Sequence, residues 1–125
     1  MEKKYLALDK ISPYKKSYDL SNEIWKMVIK WDFFAKDTVG KQLVRSVDSI
    51  SANIAEGFGR YHKKDKIKFY RIAPGSLEES KDWTNKSSAR ELIIPSTANE
   101  WSDLLNELKI EILHLIKFTN EKLRI

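Results

Sequence analysis

The chain has 125 residues with 23 Lys/Arg against 18 Asp/Glu and no cysteine, which is one domain's length and excludes disulfide frameworks, thiol nucleophiles and thiolate metal sites. Four glycines and three prolines leave little for a turn-rich β fold. No apolar run approaches the roughly 18 residues of a membrane span, and MEKKYLALDK lacks the apolar centre of a secretory signal, so the expected location is cytoplasmic, with no membrane partner.

Residues 1–11 are short, charged and aperiodic, and are expected to form a loosely ordered tail before a single domain over 12–125. The first helix is expected to start with Ser12 as N-cap and Pro13 at the first helical position. Tyr14, Tyr18, Ser21, Trp25 and Val28 follow a four-three repeat that Leu20, Ile24, Met27 and Trp31 broaden. WDFFAKDTVG interrupts that pattern, with Asp37 or Thr38 as cap for a second helix.

That second helix, over 42–60, carries two faces. Leu43, Val47, Ile50, Ile54 and Phe58 form a core stripe, widened by Val44 and Ala55. Opposite lie Arg45, Ser46, Ser49, Asn53 and Glu56, mostly too short to cover a solvent face, and these are the candidate oligomer-interface residues. The alternative is a solvated face with Glu56 and Arg60 ion-paired at i,i+4. Gly57 and Gly59 are expected to end the helix by accepting a left-handed backbone. GFG is no phosphate loop, because the glycines close a helix and no strand precedes them.

A third helix is expected from about Asp65 to Arg90, with Phe69, Tyr70, Ile72, Ala73, Ser76, Leu77, Ser80, Trp83, Thr84 and Ser87 on one side. Pro74 removes the N–H that would reach the Tyr70 carbonyl, which predicts a bend. After ELIIPST, Thr97 and Glu100 have capping-box spacing, and Trp101, Leu104, Leu105, Leu108, Ile112, Leu115 and Ile116 mark the clearest amphipathic helix. Four helices with short links predict an all-α, antiparallel up-down-up-down four-helix bundle. The four tryptophans read as core packing more simply than as a cofactor site.

The words GKQLVRSVDSISANIAEGFGRYH (40–62) and KFYRIAPGSLEESKDW (68–83) resemble a small bacterial four-helix-bundle family encoded in intervening sequences of 23S rRNA genes. The resemblance runs from Tyr14 to the last helix and implies antiparallel bundles assembled as homopentamers. A related branch consists of accessory subunits of diversity-generating retroelements, which contact reverse transcriptase and nucleic acid. Pro74 departs from the family, where a non-proline residue usually stands.

Chemistry is sparse. Glu111 and His114 have the i,i+3 spacing of a di-iron helix, but the second Glu-x-x-His pair and the further inward glutamates are missing, so no metal or other cofactor is expected. No serine has a histidine in a local catalytic signature, and Glu78, Glu79 and Asp82 lack an apolar pocket, so no enzyme is expected. What remains is charge. From Arg60 to Arg71, six cations (Arg60, Lys63, Lys64, Lys66, Lys68, Arg71) face one acid, Asp65, and account for the whole net charge of +5. With Tyr61 and His62 they form a candidate contact for RNA, DNA or another single strand, since cations attract phosphate and rings stack on unpaired bases. The plainer reading is a solvated loop. The expected function is a non-catalytic oligomeric accessory whose basic rim engages nucleic acid or an enzyme acting on it, such as a reverse transcriptase; the alternative is a protein-interaction scaffold without nucleic-acid binding.

Overall fold

The computed structural model describes residues 7–124. Five helices of eight or more residues, with no strand among the described residues, make four rods: α1 (Ser12–Val28), α2 (Lys41–Gly59), α3 (Lys63–Tyr70) continued by α4 (Ile72–Ala89), and α5 (Pro95–Lys122). The expected third helix is interrupted at the single residue Arg71, three positions before Pro74, with Arg71 itself in αR conformation. Pro74 lies in the first turn of α4, where its missing N–H does least harm.

The core is lined by Leu20, Ile24 and Val28 of α1, Leu43, Val47, Ile50 and Ile54 of α2, Ala73 and Leu77 of α4, and Trp101, Leu105, Leu108, Ile112 and Ile116 of α5. The α2 and α5 stripes are as the sequence predicts. The α1 stripe is shifted: Leu20, Ser21, Ile24 and Val28 face inward as expected and Ser17 joins them, while Tyr18 and Trp25 are 46% and 53% exposed. Its small Ser17 is buried because its hydroxyl donates to the Pro13 carbonyl at 2.7 Å.

The same device lets α4 line a core with polar residues. Ser80, Thr84 and Ser87, all fully buried, donate to the carbonyls of Ser76, Ser80 and Trp83 at 2.8, 2.8 and 2.7 Å. Each hydroxyl is satisfied inside its own helix, so burying it leaves no orphaned donor. Between α2 and α4, Ser80 bonds Ser46 at 3.0 Å and Ser76 bonds Ser49 at 2.8 Å. Between α1 and α5, Ser12 and Lys16 both donate to Glu111, at 2.5 and 2.6 Å, and the Trp101 indole N–H reaches Glu23 at 2.9 Å.

Helix ends differ from the sequence reading. Ser12 does not cap α1, since its hydroxyl is spent on Glu111. WDFFAKDTVG is largely helical: Asp32 accepts from the Ala35 N–H at 3.0 Å and starts a turn, Phe33–Ala35, that passes through a π-helical turn, Lys36–Gly40, into α2. Neither Asp37 nor Thr38 is the cap; the Thr38 hydroxyl bonds the Phe34 carbonyl. α5 begins at Pro95, ahead of Thr97, with Ile94 in extended conformation as proline requires of its predecessor. Of the expected tail, residues 1–6 lie outside the described residues, while Leu8–Lys10 forms a 3-10 turn and Ile11 is buried in the core.

Gly57 does not end α2 by a left-handed backbone, because no glycine has positive φ and the helix runs on to Gly59. It is there for space. A Cβ at Gly57 would lie 2.6–2.7 Å from the Tyr70 ring and 2.8 Å from the Lys66 carbonyl oxygen, whereas one at Gly75 would meet nothing within 4 Å. Gly57→Ala is therefore expected to destabilise the protein by about 1 to 3 kcal/mol through overpacking, and Gly75→Ala to stabilise it by about 0.5 to 1 kcal/mol through helix propensity. Urea unfolding of both variants checks this, and equal effects would refute the packing role of Gly57.

Candidate nucleic-acid interface

The basic run is not a loop. Only Arg60–His62 is irregular, and Lys63 to Tyr70 is helical, with Asp65 in its first turn where an acid complements the helix dipole. The helix sorts the cations into two groups.

Three are held by the fold. Lys66 Nζ donates to the Phe58 carbonyl at 2.7 Å and lies 5.6 Å from the Phe58 ring centroid. It thereby serves one of the carbonyls left without a partner at the end of α2. Its burial lowers its pKa. Lys63 Nζ does the same for α5, reaching the Asn120 carbonyl at 3.1 Å. Arg60 pairs with Glu56 at 3.0 Å and stands 4.5 Å over the Phe69 ring.

Lys64, Lys68 and Arg71 are the other group. All three are exposed, and none has a side-chain hydrogen bond, ion pair or ring contact among the described residues. Spaced by four and three, they fall on one stripe that rises about 10 Å along the rod. At the N-terminal end of the same helix, Tyr61 is 73% exposed and meets the exposed His62 edge-on, with ring centroids 5.0 Å apart. Beyond Arg71 the charge is compensated: Glu78 pairs with Lys109 and Lys81 at 3.0 and 3.8 Å, and Asp82 with Lys86 at 2.6 Å.

The second set of predicted residues is partly drawn into the chain's own packing. Ser46 is 4% exposed and bonded to Ser80, so it belongs to the α2–α4 seam and not to an outer face. Ser49 is half-buried on Ser76, and Asn53 donates to the Ser49 carbonyl and hydroxyl at 2.8 and 3.0 Å. Arg45 and Glu56 stay exposed. Arg45, Gln42, Ser46, Ser49, Ser76 and Glu79 line a polar cleft of about 240 Å³.

One feature escaped the sequence reading. Phe33 and Phe34 are 77% and 76% exposed at the opposite end of the bundle from the basic helix, and Phe34 borders a cleft of about 420 Å³ with Val39, Arg90 and Leu92. Adjacent aromatics directly after a capping aspartate were the available signal. His114 is exposed, and Glu111 is engaged by Ser12 and Lys16: burial pushes its carboxyl up, but those bonds together hold its pKa below the usual value. Among the described residues no group of three or more His, Cys, Asp or Glu is placed to hold a metal, and no helix is long and apolar enough to cross a membrane.

Fold and surface together define an all-α bundle with a basic helix at one end. The model of the 23S rRNA-intervening sequence protein family matches residues 9–114, and the chain belongs to that family. In fold it is similar to a Bacteroides thetaiotaomicron protein of unknown function from the S23 ribosomal protein family, with a TM-score of 0.76 at 23% identity over 89% of this chain and 99% of that one. No curated protein matches.

Proposed function

We propose that the protein is a non-catalytic, oligomeric accessory whose basic end binds nucleic acid or an enzyme acting on it, such as a reverse transcriptase. The observation that carries this reading is the stripe of Lys64, Lys68 and Arg71, three cations left unpaired among the described residues beside an exposed Tyr61. A charge run that merely solubilised the surface would not need an aromatic ring held out at 73% exposure.

The bundle is read as antiparallel, up-down-up-down. In support, Ser46 and Ser49 bond Ser80 and Ser76, and Ser12 and Glu23 meet Glu111 and Trp101, so positions rise along one rod as they fall along its neighbour. A cyclic homo-oligomer, a pentamer on the resemblance, would set several basic helices on one rim and multiply their field. Its subunit contact is assigned to the face that includes Arg45 and Glu56. A cytoplasmic location and a role beside a retroelement belong to the same proposal. The second reading, a protein-interaction scaffold, is favoured by the exposed Phe33, Phe34 and Trp25.

Light-scattering mass with and without a short mixed-sequence RNA, at two salt concentrations, tests these readings. The expected result is a multiple of the 14.7 kDa chain mass that takes up RNA at low salt and releases it at high salt. A monomer would refute the assembly, and an oligomer indifferent to RNA would leave the scaffold reading in place.

A further inference from the structure

Not every cation of the basic run is available to a ligand, and the line of the helix limits what the available ones can hold. Lys63 and Lys66 are bonded to the terminal carbonyls of α5 and α2, and Arg60 is bonded to Glu56 and stacked on Phe69. Lys64, Lys68 and Arg71 remain, across about 10 Å of helix. Farther along the same rod the lysines of α4 are already engaged: Lys81 and Lys86 pair with Glu78 and Asp82 at 3.8 and 2.6 Å, and Glu78 is also bridged by Lys109 of α5 at 3.0 Å. A duplex is stiff, with a persistence length of about 150 base pairs, so laying its backbone along the rod would carry phosphates past Arg71 onto a surface whose lysines are already paired with carboxylates. A single strand turns away after a few nucleotides. It also offers an unpaired base face to Tyr61, which a duplex keeps stacked.

We infer that the basic end is a short single-strand site, in which Lys64, Lys68 and Arg71 hold successive phosphates and Tyr61 stacks a base, while Lys63 and Lys66 serve the fold. This rests on the nucleic-acid reading above and narrows it to unpaired strands and to four residues. Three phosphate contacts on a single strand give a slope of log K against log salt of about −2 per chain, well short of an extended basic groove.

The test is fluorescence anisotropy with a labelled 12-nucleotide oligouridine and a 12-base-pair RNA duplex, at low salt and over a salt series. Oligouridine is expected to bind at least about tenfold more tightly than the duplex. K64A/K68A/R71A is expected to abolish salt-dependent binding with the fold intact by circular dichroism, and Tyr61→Ala to weaken oligouridine at least about fivefold, in line with the value of one stacked base. Lys63→Ala is expected to leave affinity unchanged within twofold while lowering the melting temperature. Duplex bound as tightly as oligouridine, a triple variant that binds like the parent, or a Tyr61→Ala variant with parental affinity would overturn the single-strand site while leaving nucleic-acid binding standing. Binding of neither probe at low salt would overturn both.

Discussion

Trp101→Ala is expected to lower stability by about 3 to 5 kcal/mol, in the range for deleting a large buried aromatic. The ring is 1% exposed, packed where α5 meets α1, and its indole N–H donates to Glu23 at 2.9 Å. A domain of this size has about 5 to 15 kcal/mol in total, so the variant should unfold at markedly lower urea and partly populate the unfolded state at 37 °C. Trp101→Phe separates the two contributions. It keeps most of the apolar volume and loses only the hydrogen bond, whose partner Glu23 is exposed and regains water, so its cost should be about 1 to 2 kcal/mol. A Trp101→Ala loss below 1 kcal/mol would mean that the indole is not packed as described.

The second large effect is alkaline. Tyr70 is 2% exposed, its ring set against the flat surface of Gly57, and burial pushes its pKa up from 10.0 to about 12. The folded protein thus keeps the phenol proton through a range in which the unfolded chain releases it. Stability from this group is full below pH 10 and falls as pH rises towards 12, by about 2 to 3 kcal/mol at the end of that range. Lys66 acts in the opposite direction at lower pH, because burial lowers its pKa and the unfolded chain holds that proton up to its ordinary 10.5. Comparing Tyr70→Phe with the parent cancels Lys66 and every other shared group. The Phe variant should therefore lose less stability between pH 9 and 11.5 in urea titrations, and parallel pH profiles for the two proteins would refute the assignment. The consequence is local, since Tyr70 and Gly57 form the joint that sets α3, and with it the basic stripe, against the end of α2.

Much of this was legible in the chain itself. Apolar spacing alone located the core faces of α2 and α5, because aliphatic side chains at period 3.6 have one low-energy destination. Charge counting located the basic segment, and Pro74 marked a third rod that is interrupted at Arg71. What spacing could not decide was phase where large aromatics and small polar residues share a helix. In α1 the sequence favours Tyr18 and Trp25 for the core, but both face out, and Ser17 packs inside beside the expected Ser21, since the serine hydroxyls bond their own backbone and let neighbouring helices come close. The same trade put Ser46 inside the α2–α4 seam and left Arg45 outside.

Gly57 shows the limit most directly. From sequence a glycine near a helix end reads as a conformational signal, yet here its backbone is ordinary and the reason for it is a tyrosine 13 residues away. The basic run divides in the same way. Composition determined that six cations would crowd twelve residues, but only the packing of α3 against the ends of α2 and α5 decided that Lys63 and Lys66 would meet backbone carbonyls while Lys64, Lys68 and Arg71 faced water. Periodicity is a property of one helix and can be read from it; which carbonyl a lysine reaches depends on a second helix, whose distance and rotation no local pattern encodes.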